Sequence, residues 1–150
     1  MRMQISHRDF ELVERSQCQA TIDLVVPFTT PELTQAALDS ANRMSAGLNA
    51  TIRLVKVQVV PFPLDLSQPP VRLNFLRDQL KRLRSERPPH PEIRLARDAA
   101  AGLMSGLKRG TIVVLAFRKR LWRTREQILA ARLLQSGYET ILFEMETNHA

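Results

Sequence analysis

The sequence has few of the residues that build disulfides, metal centres and aromatic stacking platforms. Its one cysteine, Cys18, rules out an intramolecular disulfide and a cluster of thiolate metal ligands. Its three histidines are scattered and lack the i, i+4 or carboxylate spacing of a metal site. One tryptophan and one tyrosine do not make an aromatic platform for nucleic acid. We therefore expect no metal site and no sequence-specific recognition of nucleic acid.

Long hydrophobic runs are also missing. The most apolar segment, residues 112–117, is too short to span a bilayer, and residues 1–17 lack the apolar stretch of a secretory signal. This pattern predicts no membrane span and a cytoplasmic location. The sequence contains no Ser/His/Asp, Cys/His or paired-carboxylate signature of catalysis, so we expect a protein that is not an enzyme.

Apolar segments of strand length alternate with segments of helical periodicity. The predicted strands comprise residues 22–28, 51–60, 92–97, 111–117 and 139–145. The segment 111–117 is apolar at successive positions, as expected of a central parallel strand that helices cover on both faces. The alternation predicts an α/β fold with a doubly wound, mainly parallel five-stranded sheet and helices on both faces.

Four helices are predicted between these strands, and three of them begin at capping residues. Thr30 followed by Pro31 begins the first helix, and Asp98 begins the short third helix. Thr124 and Gln127 have the spacing of a capping box at the start of the fourth. The predicted helix ends are Gly47 for the first helix, Pro88, Pro89 and Pro91 for the second, and Gly137 for the fourth.

Regular spacing of apolar residues predicts which face of each helix is buried. The expected positions are Leu33, Ala37, Ala41, Met44 and Leu48 in the first helix, Leu73, Leu76, Leu80 and Leu83 in the second, Leu103, Met104 and Leu107 in the third, and Ile128, Ala131, Leu133 and Leu134 in the fourth. No linker divides the pattern, so we expect one domain over residues 21–146. Residues 1–20 form an arm that is either frayed or docked, and residues 147–150 form a tail.

The opening unit of strand IDLVVPFTT, helix PELTQAALDSANRMSAGLNA and strand TIRLVKVQVVP resembles the start of a universal stress protein. The likeness continues through IRLARD and TIVVLAF to the last helix and ETILFEM, and it covers about residues 21–146. The resemblance implies a sheet in the order 3-2-1-4-5 and a protein that is commonly a homodimer. It also implies a ligand crevice between the carboxyl ends of strands one and four, where the strand order reverses.

The residues that bind ATP in this family are replaced. ATP-binding members have an aspartate after strand one, and after strand four a motif of Gly, two residues, Gly, nine residues, Gly and Ser or Thr. Without gaps, Thr29 takes the aspartate position, and the motif positions fall on Ala116, Lys119, Leu129 and Ala130. Glycines allow backbone amides to approach phosphates closely, which these side chains prevent. We therefore expect a degenerate nucleotide site that does not bind ATP in the family manner.

A basic segment follows the fourth predicted strand. Residues 118–125 contain five of the cations behind the net charge of +7 and no acid. The segment is near the expected crevice and a helix start, which favours anion or nucleotide binding, and it fits a solvated loop equally well. Trp122 within it could stack on a base or cover the core beneath the loop. The candidate anion-binding residues are Thr29, Arg118, Lys119, Arg120, Arg123 and Arg125.

The last predicted strand would lie at an edge of the sheet, with backbone groups available for pairing. An antiparallel homodimer could form there, with Ile141, Leu142, Phe143 and Met145 as its apolar residues. Alternatively, the glutamates of this segment keep an exposed edge hydrated.

These observations predict a non-catalytic regulatory or protein-interaction module of the universal stress protein type, with an unknown partner and no cofactor. A second hypothesis is a nucleotide- or phosphate-binding stress protein that uses the basic loop, with ATP or AMP as ligand. A third is a nonspecific binder of polyanions or nucleic acid, for which affinity should fall steeply as salt rises.

Overall fold

The computed structural model describes residues 21–146, so the predictions for the arm 1–20 and the tail 147–150 lie outside the described residues. Strands and helices alternate throughout this range. The elements are β1 (Ile22–Pro27), α1 (Pro31–Ser45), β2 (Ala50–Val59), α2 (Leu73–Lys81), β3 (His90–Ala96), α3 (Ala99–Met104), β4 (Ile112–Phe117), α4 (Arg125–Gln135) and β5 (Glu139–Glu144).

The five strands form one sheet in the order β3-β2-β1-β4-β5, and every pair is parallel. This confirms the predicted doubly wound α/β fold and its strand order. Core residues of α1 and α2 cluster on one face of the sheet, and those of α3 and α4 cluster on the other. Within residues 21–146, no helix is long and apolar enough to cross a membrane.

The two central strands are the most deeply buried part of the sheet. Val25 and Val26 of β1 and Val113 and Val114 of β4 are completely buried, so adjacent residues pack on opposite faces. This confirms that segment 111–117 is a central strand. It also explains the continuous apolar run, because the four middle residues of β4, 113–116, are buried on both faces of the sheet.

All three predicted helix caps are confirmed. The Leu33 N–H donates to the Thr30 hydroxyl oxygen (3.3 Å), and the Ala101 N–H donates to the Asp98 carboxylate (2.9 Å). At α4 the capping box is complete: the Gln127 N–H donates to the Thr124 hydroxyl (3.3 Å) and the Thr124 N–H donates to the Gln127 side chain (2.8 Å). The starts of these helices are therefore fixed by local chemistry.

Two of the three predicted helix ends are confirmed, because Gly47 and Gly137 each follow the cap residue of their helix with a positive φ angle. The end of the second helix and some apolar positions near the helix ends differ from the prediction. Helix α1 ends at Ser45, so Leu48 lies beyond it and is exposed rather than buried. Helix α2 ends at Lys81, well before the prolines, and Pro91 lies inside β3. Proline is tolerated there because β3 is at the edge of the sheet formed by residues 21–146, where its outward N–H groups have no ladder partner to lose. Leu83 and Leu107 likewise fall just after α2 and α3.

The predicted buried face of α4 is confirmed at Leu133 and wrong at Ile128 and Leu134. Ile128 and Leu134 are 49% and 57% exposed, whereas Ala130 and Leu133 are buried against the sheet. Residues 128–134 are apolar around most of the helix, so the 3.6-residue period does not single out one face. The contacts of α4 with β4 and β5 select the face through Ala130, and two large apolar side chains are left outside.

Strand β5 forms the sheet edge as predicted, although Met145 lies just beyond its end and donates its N–H to the Phe117 carbonyl (2.8 Å). Phe143 and Met145 pack towards α1, and Leu142 packs towards α4. Ile141 is half-buried. The side chains of the proposed dimer edge therefore contribute to the two faces of the sheet within one chain.

Removing the Asp98 cap is expected to lower the free energy of unfolding by about 1 kcal/mol at neutral pH. The Ala101 N–H and Arg132, 3.0 Å away, hold the Asp98 pKa below its usual value of 3.8. Its charge therefore stabilises the fold above that value, and this contribution is lost as pH falls through the lowered pKa. In urea denaturation, the difference in the free energy of unfolding between Asp98→Ala and the wild type should shrink in acid. The free energy of unfolding of Asp98→Asn should lie between the other two, because asparagine still caps the helix.

Candidate anion-binding site

The strand order reverses between β1 and β4, and a crevice opens there. Backbone pairing between these strands is limited to Leu24 with Ile112 and Val25 with Val113, whereas β4 and β5 pair over six positions. The carboxyl halves of β1 and β4 are therefore not joined by this ladder. Helices α1 and α4 both begin just beyond them, at the place where parallel α/β folds bind ligands.

A groove of about 660 Å³ lies between these two helix starts; we refer to it as the basic groove. One wall is the start of α1, and the other is the loop after β4 together with the start of α4. Its lining residues are Thr30, Pro31, Glu32, Leu33, Arg118, Arg120, Trp122, Arg123, Thr124, Arg125 and Glu126.

The basic groove is electropositive. Four arginines and two glutamates line it, so the side chains leave an excess of positive charge. Both helices also direct their amino ends towards it, and the first amides of a helix have no acceptor within the helix. Side-chain charge and peptide dipoles therefore favour an anion at the same place.

Arg118 is part of the wall of the groove rather than a fully solvated side chain. Its guanidinium is about one-third exposed and forms an ion pair with Glu32 in the first turn of α1. Its Nε is buried and has no acceptor within residues 21–146. This pair connects the loop after β4 to α1 and closes one side of the groove.

The structure brings together four of the five predicted cations. Arg118, Arg120, Arg123 and Arg125 line the basic groove, and the last three have no ion-pair partner in the described part of the chain. Lys119 is exposed and lines neither this groove nor its neighbour. The arginines of the basic segment therefore line the groove, whereas its lysine is exposed outside the groove.

Thr29 lies in a neighbouring cleft of about 420 Å³ over the carboxyl ends of β1 and β2, between α3 and α4. Thr30, Arg125 and Glu126 line both spaces, so the cleft and the groove are adjacent. The Thr29 N–H donates to the buried Thr34 hydroxyl (3.0 Å), which fixes the turn after β1. A ligand that fills both spaces would pass directly over Arg125.

The neighbouring cleft also contains Lys56, which the sequence did not single out. Its ammonium lies 5.1 Å from the centre of the Phe28 ring, and partial burial lowers its pKa. In the sequence, Lys56 is one cation between the apolar residues of a predicted strand, and this pattern does not indicate a ligand site.

Sequence reasoning also missed two residues of the basic groove. Glu32 was not singled out, because its partner Arg118 is 86 positions away and only the fold brings them together. Thr124 was interpreted as a cap alone, yet it lines the groove while its hydroxyl accepts the Gln127 N–H. Its own O–H hydrogen has no assigned acceptor in the described range, so it is available to a ligand.

Trp122 does not cover the core, which was one of the two alternatives drawn from the sequence. Its side chain is 84% exposed and lines the basic groove. The loop that holds it extends away from the sheet between Phe117 and the capping box of α4. The indole face is therefore open to a ring or another apolar group.

The loop after β4 has no backbone cradle for phosphate. It contains no glycine, and within residues 21–146 positive φ angles occur only at Gly47, Gly110 and Gly137. A phosphate nest needs a left-handed residue, and this loop has none. Leu129 and Ala130 lie in the second turn of α4, beyond the helix start. Any anion here is held by side chains and by the amino ends of the two helices.

No protein-family model matches the chain, and no curated protein matches it significantly. The resemblance to universal stress proteins therefore remains a prediction. The observed strand order agrees with what that resemblance implies.

Proposed function

We propose that this domain is a non-catalytic regulatory module of the universal stress protein type that binds a phosphate-bearing ligand in the basic groove. The observation that carries the proposal is the convergence of four arginines on the amino ends of α1 and α4. In this proposal arginine side chains bind the phosphate, whereas ATP-binding members of the universal stress protein family bind it with backbone amides next to glycines. A cytoplasmic location stays a prediction.

The arrangement favours a bound anion over an empty, solvated loop. Arg123 and Arg125 are placed at the amino end of α4, where positive charge opposes the helix dipole by some tenths of a kcal/mol each when exposed. A bound phosphate places negative charge at this helix end, where the helix dipole favours it, and accepts hydrogen bonds from the paired N–H groups of arginine. The exposed face of Trp122 suits a ligand that also has a ring, such as AMP.

Titration of the full chain with inorganic phosphate, AMP and ATP tests the proposal. Trp122 is the only tryptophan of the chain and lines the groove, so its fluorescence reports occupancy directly. We expect saturable binding and a melting temperature that rises with ligand, because the ligand binds only the folded state. If none of the three ligands saturates, the proposal fails. Binding only to long polyanions, with a steep salt dependence, would indicate the nonspecific alternative.

Replacing Glu32 with glutamine is expected to raise phosphate affinity about three- to tenfold. The change removes a negative charge from the groove and releases Arg118 from its ion pair. The pair is largely exposed and contributes about 1 kcal/mol or less to stability, so the fold should hardly change. Isothermal titration with phosphate measures the affinity, and unchanged or weaker binding would contradict the proposed role of Arg118.

A second proposal is a homodimer through the outer edge of β5, which no strand within residues 21–146 covers. The edge position of β5 and the exposed Ile128 and Leu134 on the adjacent helix α4 support it, since a second copy would cover both. Sedimentation equilibrium should then give twice the chain mass, and Leu134→Lys should shift the protein towards monomer. A single-chain mass at every concentration would rule this dimer out.

A further inference from the structure

The three most exposed large apolar side chains of the described range lie in loops that follow strands. Leu121 is 99% exposed, Trp122 is 84% exposed, and Phe62 is 81% exposed. Phe62 follows β2, and the other two follow β4. Because all strands are parallel, both loops leave the sheet at its carboxyl end. One end of the domain therefore presents apolar side chains to water.

These side chains extend from fixed anchors rather than from frayed backbone. The loop after β4 is held on one side by the ion pair of Arg118 with Glu32 and on the other by the Thr124 capping box. The loop after β2 is held by Arg97, which donates to the Val60 and Leu64 carbonyls (3.0 and 2.6 Å) and lies 4.1 Å from the centre of the Phe62 ring. Their exposure is built into the fold.

Cations surround the adjacent Leu121 and Trp122. Lys119, Arg120 and Arg123 are exposed, and no acid occurs in residues 118–125. Glu32 and Glu126 line the groove with Trp122 but are outnumbered by its four arginines, and Asp65 is the only acid between β2 and α2. An apolar tip ringed by hydrated cations matches the layers of an anionic membrane surface. Tryptophan favours the headgroup level, leucine the acyl boundary, and lysine or arginine the lipid phosphates.

Two other occupants fit this surface less well. A protein groove that enclosed Leu121 and Trp122 would also desolvate the neighbouring cations, which is costly unless each one finds a partner. A single-stranded nucleic acid could use the cations and the Trp122 ring, but it offers nothing apolar to Leu121. A bilayer accepts the apolar tip and leaves the cations hydrated among its headgroups.

We propose that the carboxyl-end loops dock this domain on the surface of an anionic lipid bilayer. Leu121 and Trp122 insert at headgroup depth, Phe62 supports them, and Lys119, Arg120 and Arg123 contact lipid phosphates. The domain lies on the membrane and does not span it. Arg120, Trp122 and Arg123 also line the basic groove, but Leu121 and Lys119 line neither the groove nor its neighbour, so the inference does not rest on the proposed ligand binding.

Co-sedimentation of the full chain with phosphatidylcholine vesicles, with and without phosphatidylserine, tests the inference. We expect binding to the phosphatidylserine vesicles only, with a blue shift of Trp122 fluorescence and quenching by lipids brominated in the acyl chain. Leu121→Ser should weaken vesicle binding about tenfold, because it removes an apolar side chain that the bilayer buries. Lys119→Gln should weaken vesicle binding about fivefold, because it removes the attraction of one cation to the anionic surface. Leu48→Ser, at an exposed leucine in the turn before β2 at the opposite end of the sheet, is the matched control and should leave binding unchanged.

The outcomes separate this inference from the others. No binding to phosphatidylserine vesicles, or an equal loss in Leu121→Ser and Leu48→Ser, overturns it. Displacement of the vesicles by a single-stranded oligonucleotide that binds Leu121→Ser as tightly as wild type would assign the surface to nucleic acid and also overturn it. Retained AMP or phosphate binding in Leu121→Ser supports two separate activities, so failure of one proposal does not decide the other.

Discussion

Replacing Arg123 and Arg125 together with glutamine is expected to weaken phosphate binding a hundredfold or more. Each hydrogen bond from a charged group to an anion contributes about 1.5–3 kcal/mol, so the loss of two amounts to at least two orders of magnitude. Arg125 lines both the basic groove and its neighbour, and Arg123 lies two residues before it. Fluorescence titration with AMP and with inorganic phosphate measures the change.

The fold should not suffer from this double change. Arg125 is the first residue of α4, where a cation opposes the helix dipole, so its loss is neutral or slightly stabilising. The capping box of Thr124 and Gln127 is untouched. A loss of binding with an unchanged melting temperature would therefore report on the site itself.

Two single replacements are matched controls for the loss of charge. Arg109 is exposed in the turn before β4, at the opposite end of the sheet, and Lys119 is exposed outside the groove. Arg109→Gln should change phosphate affinity by less than about threefold, because exposed distant charges are screened. Lys119→Gln should also change it by less than about threefold, because the Lys119 side chain does not line the groove. If Arg109→Gln weakens binding as much as the double variant, binding follows net charge and not the groove.

The fold was predictable because its signals are local or periodic. Thr30, Asp98 and Thr124 cap their helices through bonds to amides three residues ahead, so the sequence neighbourhood contains the whole interaction. The buried run in β4 identifies a central parallel strand without any long-range information. Alternation of such segments then leaves few arrangements of the sheet.

Other features depend on distant contacts and could not be predicted in this way. The apolar residues of α4 surround the helix, so only packing against β4 and β5 decides that Leu133 is buried and Ile128 is not. The apolar positions predicted at the ends of α1 and α2 are misplaced for a related reason, since Leu48 and Leu83 keep the spacing of a helix although they lie beyond its last residue. A pattern gives the period but not the point at which tertiary contacts stop supporting it.

The candidate site was also predictable only in part from the sequence. The basic segment and its nearness to the strand reversal follow from the sequence, because charge is countable and the crevice position follows from the strand order. Which of these cations line the groove does not follow from the sequence. Arg118 is in the groove wall and Lys119 is outside it, because Glu32 pairs with Arg118, whereas no residue in the described part of the chain forms an ion pair with Lys119. Adjacent cations acquire different roles only through partners from other elements.

Replacing Gly102 with valine is expected to lower the free energy of unfolding by about 3 kcal/mol, because α3 lies in close contact with the sheet at this residue. A Cβ there would be 2.6 Å from the Ala96 Cβ and 2.8 Å from Val57 Cγ1, and neither neighbour is the end of a flexible side chain. The sequence alone gives glycine in a helix as a weakness, whereas here its missing side chain permits the packing. Urea denaturation measures the loss.

Gly106→Ala is the matched control for this prediction. Its added Cβ would meet the guanidinium of Arg94, the far end of a long side chain, so the cost should be smaller than that of Gly102→Val. Equal losses would contradict the packing argument. Because α3 borders the neighbouring cleft and not the basic groove, folded Gly102→Val protein should still bind phosphate. Stability lost through α3 with phosphate binding retained would place the anion between α1 and α4.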